Sequence, residues 1–126
     1  MDGVKLTPAE WNVMDCLWER SPQTAMELVR ELEETVGWAR STTLTVLRRM
    51  EAKGLIRGGK AARGTAYVPL AERSGAAQAE TRSFLDRVYR GSVGMMMNAI
   101  VRDGLSREEL DQLREILDAA EREARS

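Results

Sequence analysis

Apolar residues recur at helical spacing in three stretches near the start of the chain. The first stretch follows Thr7, which can cap a helix, and ends before a Ser-Pro pair. The second begins after a similar cap at Thr24 and ends at Gly37. The third runs over about 39–53 and ends at a glycine. This pattern predicts three short helices in succession.

Two short strands are predicted next, over residues 55–57 and 65–68. The intervening Gly58-Gly59-Lys60-Ala61-Ala62-Arg63-Gly64 supplies turn glycines and two cations. Three helices followed by a basic hairpin describe a winged helix-turn-helix. We therefore predict a winged-helix domain over residues 1–70.

Three further amphipathic helices are predicted over residues 71–126, with breaks at Gly91-Ser92 and Asp103-Gly104. Helices of this size cannot bury their apolar stripes alone, so we expect them to form the core of a homodimer. The predicted fold class is mainly α, a winged helix-turn-helix with a two-strand wing followed by a three-helix dimerisation region. The residues assigned to the dimer core are Phe84, Leu85, Val88, Val93, Met96, Met97, Ile100, Leu110, Leu113 and Leu117.

The charge distribution is uneven, although the net charge of the 126 residues is −1. Residues 38–70 hold seven cations and only one anion, Glu51, whereas residues 1–37 hold three cations and eight anions. A basic block inside a nearly neutral chain indicates a surface that faces phosphate. A merely solvated, arginine-rich face is the alternative interpretation of the charge alone.

The third predicted helix has the two faces that a groove-binding helix needs, one apolar and one polar or basic. Its inward stripe is Thr43, Val46, Leu47 and Met50. Threonine and arginine on the other face can contact base edges or phosphates, and the outward Leu44 suits a thymine methyl group. We assign phosphate contacts to Arg40, Arg48, Lys53, Lys60 and Arg63, and base contacts to Ser41, Thr42, Leu44, Thr45 and Arg49.

Other functional classes find little support in the composition. The chain has no histidine and one cysteine, Cys16, which we interpret as a small buried hydrophobe. We therefore expect no catalysis, no metal and no cofactor. No apolar run is long enough to span a membrane, and no apolar signal core follows Met1, so we expect a cytoplasmic protein without direct membrane binding.

The sequence has two alternative interpretations besides a DNA-binding repressor. A winged-helix protein-interaction module would carry an apolar or acidic outward face on its third helix, and this one is basic. A small-molecule-responsive regulator would have polar groups lining a cavity among its C-terminal helices, and few occur there.

Several motifs resemble the penicillinase repressor family, which includes the methicillin-resistance regulator. They are the 6–14 segment Leu-Thr-Pro-Ala-Glu-Trp-Asn-Val-Met, the 42–54 segment Thr-Thr-Leu-Thr-Val-Leu-Arg-Arg-Met-Glu-Ala-Lys-Gly, Tyr-Val-Pro-Leu at 67–70 and Leu-Ser-Arg-Glu-Glu-Leu at 105–110. The resemblance covers about residues 6–117.

The resemblance implies a homodimeric repressor of inverted-repeat operators that control β-lactamase-type or other genes. It also implies inactivation by cleavage of the Asn98-Ala99 bond in response to a membrane-sensor protease. In the family a bulky aromatic residue often stands where this chain has Ala99.

Overall fold

The computed structural model describes residues 5–126 and confirms the predicted fold class, with one strand added. The chain divides into two compact units, which end at Thr81 and Ser126. The described elements are α1 (Pro8–Glu19), β1 (Gln23–Thr24), α2 (Ala25–Val36), α3 (Arg40–Lys53), β2 (Ile56–Lys60), β3 (Thr65–Pro69), α4 (Arg73–Tyr89), α5 (Val93–Asp103) and α6 (Arg107–Arg125).

Local capping chemistry sets where most helices begin. The Thr7 hydroxyl accepts from the Glu10 backbone N–H while the Glu10 carboxylate accepts from the Thr7 N–H, and Thr24 with Glu27 repeats this at α2. Ser106 does the same with Glu109 in the first turn of α6. These boxes satisfy backbone donors that a helix start leaves without partners, which is why the sequence pattern located them correctly.

The core of the first unit lies between the apolar faces of the first three helices. Met14, Leu28 and Leu47, one from each helix, are each no more than 1% exposed. Trp11 and Trp18 pack against this core in an edge-to-face pair, with ring centroids 5.6 Å apart. The predicted helical stripes therefore face one another, as the sequence indicated.

The sheet has three antiparallel strands in the order β1-β3-β2. The predicted two-strand wing is β2 with β3, and the unpredicted β1 pairs Gln23 with Tyr67 on the other edge of β3. Gln23 is buried, and its amide donates to the backbone oxygens of Cys16 and Arg20 at 2.9 and 2.8 Å. This side chain thereby satisfies the Arg20 carbonyl and adds a second donor to the Cys16 carbonyl, which also accepts from the Arg20 N–H.

The first unit extends into α4, beyond the boundary predicted after residue 70. The Trp18 indole N–H donates to the Ala71 carbonyl at 2.9 Å. Arg73 lies over the Trp18 ring and pairs with Asp15 at 2.5 Å, and Ala76 is part of the buried core. The start of α4 therefore belongs with the winged helix, which corrects the predicted boundary.

The second unit, Arg82–Ser126, leaves most of its apolar side chains exposed. Neither α5 nor α6 contains a buried residue. Of the residues assigned to the dimer core, Leu85 is already buried in its own chain at 4% exposed, which corrects its assignment. The others are half-buried (Met96, Met97, Leu110, Leu113) or exposed (Phe84, Val88, Val93, Ile100, Leu117).

Candidate nucleic-acid interface

Helix α3 has the two faces that the sequence predicted. Thr43, Leu47 and Met50 are buried in the core, and Val46 is half-buried. On the other side, four polar or basic side chains are exposed, and Thr45 is half-buried. The exposed four are Ser41, Thr42, Arg48 and Arg49. The helix is therefore held by one face and offers groove-compatible groups on the other.

Leu44 differs from the prediction. It is half-buried and packs against the core of the first unit. This corrects the expectation that Leu44 points outward, because a side chain already seated on the core has less surface to offer a thymine methyl group. The hydrophobic gain of packing on the apolar core explains the partial burial of Leu44.

The N-terminus of α3 lacks a side-chain cap. Ala39 occupies the cap position, no acidic residue stands in the first turn, and the first helical residue is the exposed Arg40. A helix start that keeps backbone N–H groups and a cation, and carries no acid, presents positive potential. Arg40 therefore lies at an exposed helix start of positive potential.

The wing carries its two predicted cations at its tip. Lys60 is the last residue of β2 and pairs with Thr65 of β3, and the Ala61 N–H donates to the Gly64 carbonyl at 3.0 Å to close the turn. Gly64 has a φ of +72°, a left-handed conformation that side chains rarely adopt. Lys60 and Arg63 are both exposed.

Arg63 lies beside a cation that the sequence analysis missed. A hollow of about 410 Å³ between the wing tip and the start of α2 is lined by Arg63 and Arg30, together with Glu27, Thr24 and Met26. Arg30 stands in the acidic N-terminal segment, so counting charges by segment concealed it. Its spacing of six residues after Thr24 was the available signal, since it lies within two turns of that helix start.

Lys53 does not join the other cations. Its ammonium donates to the carboxylate of Glu10, which is only 5% exposed, and this contact links the end of α3 to the start of α1. Burial raises the pKa of Glu10, but Lys53 and the Thr7 backbone N–H together lower it by more. The pKa of Glu10 therefore lies below its ordinary value. This engagement corrects the prediction that the Lys53 ammonium is available to phosphate.

Cys16 has the buried position predicted for it. It is 6% exposed, and burial together with nearby carboxylates, including Glu31, raises the pKa of its thiol to about 12. The thiol therefore stays protonated and unreactive near neutral pH. Among residues 5–126, no group of histidine, cysteine or acidic side chains is arranged to hold a metal, and no helix is long and apolar enough to cross a membrane.

Comparison with known proteins places this architecture. The penicillinase repressor family profile matches residues 6–119. A penicillinase repressor of Bacillus licheniformis is 33% identical over 115 residues, which cover 90% of each chain, and MecI of Staphylococcus aureus (strain N315) is 28% identical over 90% of this chain and 93% of MecI.

A solved structure shares the fold of the first unit. The monomeric form of Bacillus licheniformis BlaI in complex with the blaP half-operator matches with a TM-score of 0.51 and 30% identity, covering 57% of this chain and 93% of that one. The family consists of transcriptional repressors and is not an enzyme family. On the family match and the length of the aligned relatives, this chain belongs to the penicillinase repressor family.

Proposed function

We propose that this chain is a DNA-binding transcriptional repressor that acts as a homodimer on an inverted-repeat operator. The observation that carries the proposal is the exposed polar and basic face of α3 on a helix whose opposite face is locked in the core. The similar repressor BlaI, solved in complex with the blaP half-operator, supports the same use of the winged helix here. Because α3 cannot rotate without exposing Leu47 and Met50, its outward face is preorganised for a groove.

Most of the exposed cations contact phosphate, and one, Arg49, reads bases. Arg40, Arg48, Lys60 and Arg63 supply phosphate contacts, which give affinity and orientation but little sequence choice. Arg30 is added to this set because it lines the same hollow as Arg63, where the two arginines stand with one acid, Glu27.

Base recognition belongs to the residues on the outward face of α3. Ser41, Thr42 and Thr45 are short enough to approach base edges, and Arg49 can bond two acceptors of one guanine. Leu44 can offer a base only the part of its side chain that the core leaves exposed.

The second unit supports the homodimer. Val93, Ile116 and Leu117 are each more than half exposed, and hydrophobic faces of this kind are stabilised by removing them from water. A second copy offers the same stripes, so a symmetric interface built from α4, α5 and α6 of both chains gives each apolar face a partner.

The family membership supports two further proposals. The regulated genes are of the β-lactamase type, and a membrane-sensor protease ends repression in the cytoplasm by leading to cleavage at Asn98-Ala99. This bond lies inside α5, with Asn98 exposed and Ala99 half-buried, so α5 must unwind locally before a protease can bind it.

Selection of genomic fragments by the purified full chain tests the DNA assignment and identifies the operator. We expect an inverted-repeat duplex whose log affinity falls against log salt with a slope of about −5 to −6, which corresponds to about three of the five proposed cations of each subunit contacting phosphate at the same time. No enrichment of any sequence, with a slope near zero on all duplexes, would overturn the proposal.

Two matched lysine variants refine this test. Lys60→Gln should make the salt slope of the dimer shallower by about two, since each subunit loses one phosphate contact. Lys53→Gln removes the same charge from the same segment but should leave the slope nearly unchanged, because its ammonium is engaged with Glu10.

Thr45→Ala and Arg49→Ala should each weaken binding to the selected duplex by about 1–3 kcal/mol, and less on random DNA.

A further inference from the structure

At one glycine of the wing, an added side chain would force neighbouring side chains to shift. A Cβ atom built on Gly58 would lie 2.7 Å from Cγ2 of Thr65, 3.1 Å from Cε1 of Tyr67 and 3.2 Å from Oε2 of Glu51. These distances are shorter than ordinary van der Waals contact. The neighbouring Gly59 has nothing within 4 Å of the same point. The two adjacent glycines of β2 therefore have opposite surroundings.

The three atoms around Gly58 come from two different parts of the candidate interface. Thr65 and Tyr67 belong to β3 of the wing, with Tyr67 directly opposite Gly58 in the ladder, whereas Glu51 belongs to α3. Tyr67 is half-buried and packs against the core. The point above Gly58 is thus a junction, formed by Gly58, Thr65, Tyr67 and Glu51, at which the recognition helix meets the wing.

The charges around this junction are also unusual. Glu51 is the single anion between Trp38 and Leu70, in a segment that otherwise carries only cations. Arg48 stands three residues earlier, so Arg48 and Glu51 lie on neighbouring positions of one helix face. Burial and the Glu51 carboxylate raise the pKa of Tyr67 while Arg48 lowers it, which shows that both charges act on the Tyr67 hydroxyl.

We propose that Tyr67 and Glu51 are positioning residues for operator recognition, which fix the wing against α3 through the space that Gly58 leaves open. The proposal rests on the DNA-binding function proposed above. When these residues hold the wing against α3, the distance between the wing cations Lys60 and Arg63 and the base-reading side chains of α3 is fixed. Specific binding needs both sets of contacts in register, whereas binding to random DNA needs mainly the charge.

If Glu51 acted on DNA only through its charge, its variants should behave differently from those of a positioning residue. A carboxylate close to DNA repels phosphate, so any substitution that removes its charge should tighten binding on every sequence. Positioning predicts instead that the shape of residue 51 matters. Glu51→Gln keeps that shape and should hold or raise affinity for the selected duplex, while Glu51→Ala opens the junction and should lower it relative to Glu51→Gln.

The glycine pair provides the matched experiment on the full-length protein. The probes are the tightest duplex from the genomic selection and a random-sequence duplex of equal length. Gly58→Ala should bind the selected duplex roughly tenfold more weakly, comparable to one lost base-pair contact, and should bind the random duplex almost as wild type does. Gly59→Ala should match wild type on both duplexes. Thermal unfolding of each variant shows that binding is measured on folded protein.

The outcomes separate this proposal from the one on which it rests. If wild type selects no sequence, DNA recognition itself fails. If wild type selects an operator but Gly58→Ala equals Gly59→Ala, or if Glu51→Gln and Glu51→Ala tighten both duplexes equally, the junction has no positioning role. A loss confined to the selected duplex in folded Gly58→Ala, with Glu51→Ala weaker than Glu51→Gln, supports it. Equal losses by Gly58→Ala on both duplexes would also overturn it.

Discussion

The two units contain the same kind of amphipathic helix but differ in what covers the apolar stripe. In the first unit, Met14, Leu28 and Leu47 are almost completely withdrawn from water. In the second, Ile116 and Leu117 are 55% and 66% exposed. Periodicity along a chain therefore predicts which face of a helix will be buried, but it does not tell whether the partner lies in the same chain.

The difference follows from what links the helices of each unit. In the first unit, β1 pairs with β3 across more than forty residues of sequence, and this sheet closes one side of the three-helix core. In the second unit α5 and α6 have no buried residue. One unit is complete as a single chain, whereas the other gains its core from association under the proposed function.

Removing the second unit should produce the largest effect. A chain that ends after Thr81 keeps Ala71, Arg73 and Ala76, so we expect it to fold as a monomer. Its affinity for the selected duplex should fall by about 10²–10⁴-fold, because two linked half-sites no longer bind together. Sedimentation velocity and DNA titration measure these two properties. Unchanged affinity would contradict the dimer.

A second truncation serves as the control for the domain boundary. A chain that ends after Leu70 loses the Ala71 carbonyl that accepts from Trp18, the Arg73 contacts and the buried Ala76. It should unfold at a lower temperature than the chain ending after Thr81. Equal unfolding temperatures would return the boundary to residue 70.

Two leucine variants compare the two kinds of apolar stripe directly. Leu28→Ala should lower the free energy of unfolding by about 2–5 kcal/mol, since it leaves a cavity in a closed core. Leu117→Ala should leave the unfolding of the first unit unchanged and weaken dimerisation, so its effect depends on protein concentration. Denaturant unfolding at two protein concentrations separates these cases. A concentration-independent loss in Leu117→Ala would place Leu117 in a monomeric core.

Acid should distinguish the partly buried Lys53–Glu10 pair of the first unit from the exposed pairs of the second. The pKa of folded Glu10 lies below its unfolded value of about 4.5, so the stability from its ionised form is present above that pH. That stability should be lost as pH falls through the lower folded pKa. Glu10→Gln should be less stable near neutral pH and should lose less stability in acid.

The matched control for that test is an exposed pair. Arg107 and Asp111 approach to 3.6 Å on α6 with more than half of each side chain exposed. Asp111→Asn should change stability by no more than about 0.5 kcal/mol. An acid profile for Glu10→Gln identical to that of wild type would contradict the role of Glu10.

The smallest effect expected of a buried side chain concerns a hydroxyl in α3. Within the described residues, Thr43 Oγ1 is buried and has no hydrogen-bond partner. Thr43→Val keeps the shape and removes a desolvated polar group, so it should stabilise the chain by up to about 1 kcal/mol or leave it unchanged. Thr42→Val, on the exposed side, is the comparison. A clear loss of stability in Thr43→Val would mean that its hydroxyl is satisfied.

Local chemistry by itself determined the helices, their caps and the wing. Thr7, Thr24 and Ser106 begin helices through hydrogen bonds that span three residues. Gly37 and Gly54 end α2 and α3 with positive φ values of 76° and 81°. The two faces of α3 followed from its period in the same way. Such features depend on neighbours along the chain, and a single sequence contains them.

Contacts between distant segments were decided only by the tertiary structure. Lys53 meets Glu10, Gln23 pairs with Tyr67 and Glu51 meets the wing above Gly58, each across a separation that no periodic pattern encodes. Lys53 looked like any other cation of a basic segment because charge counting ignores direction in space. A two-residue strand such as β1 has too few positions to show alternation. Sequence period selects the face of an element, and packing in three dimensions selects the partner.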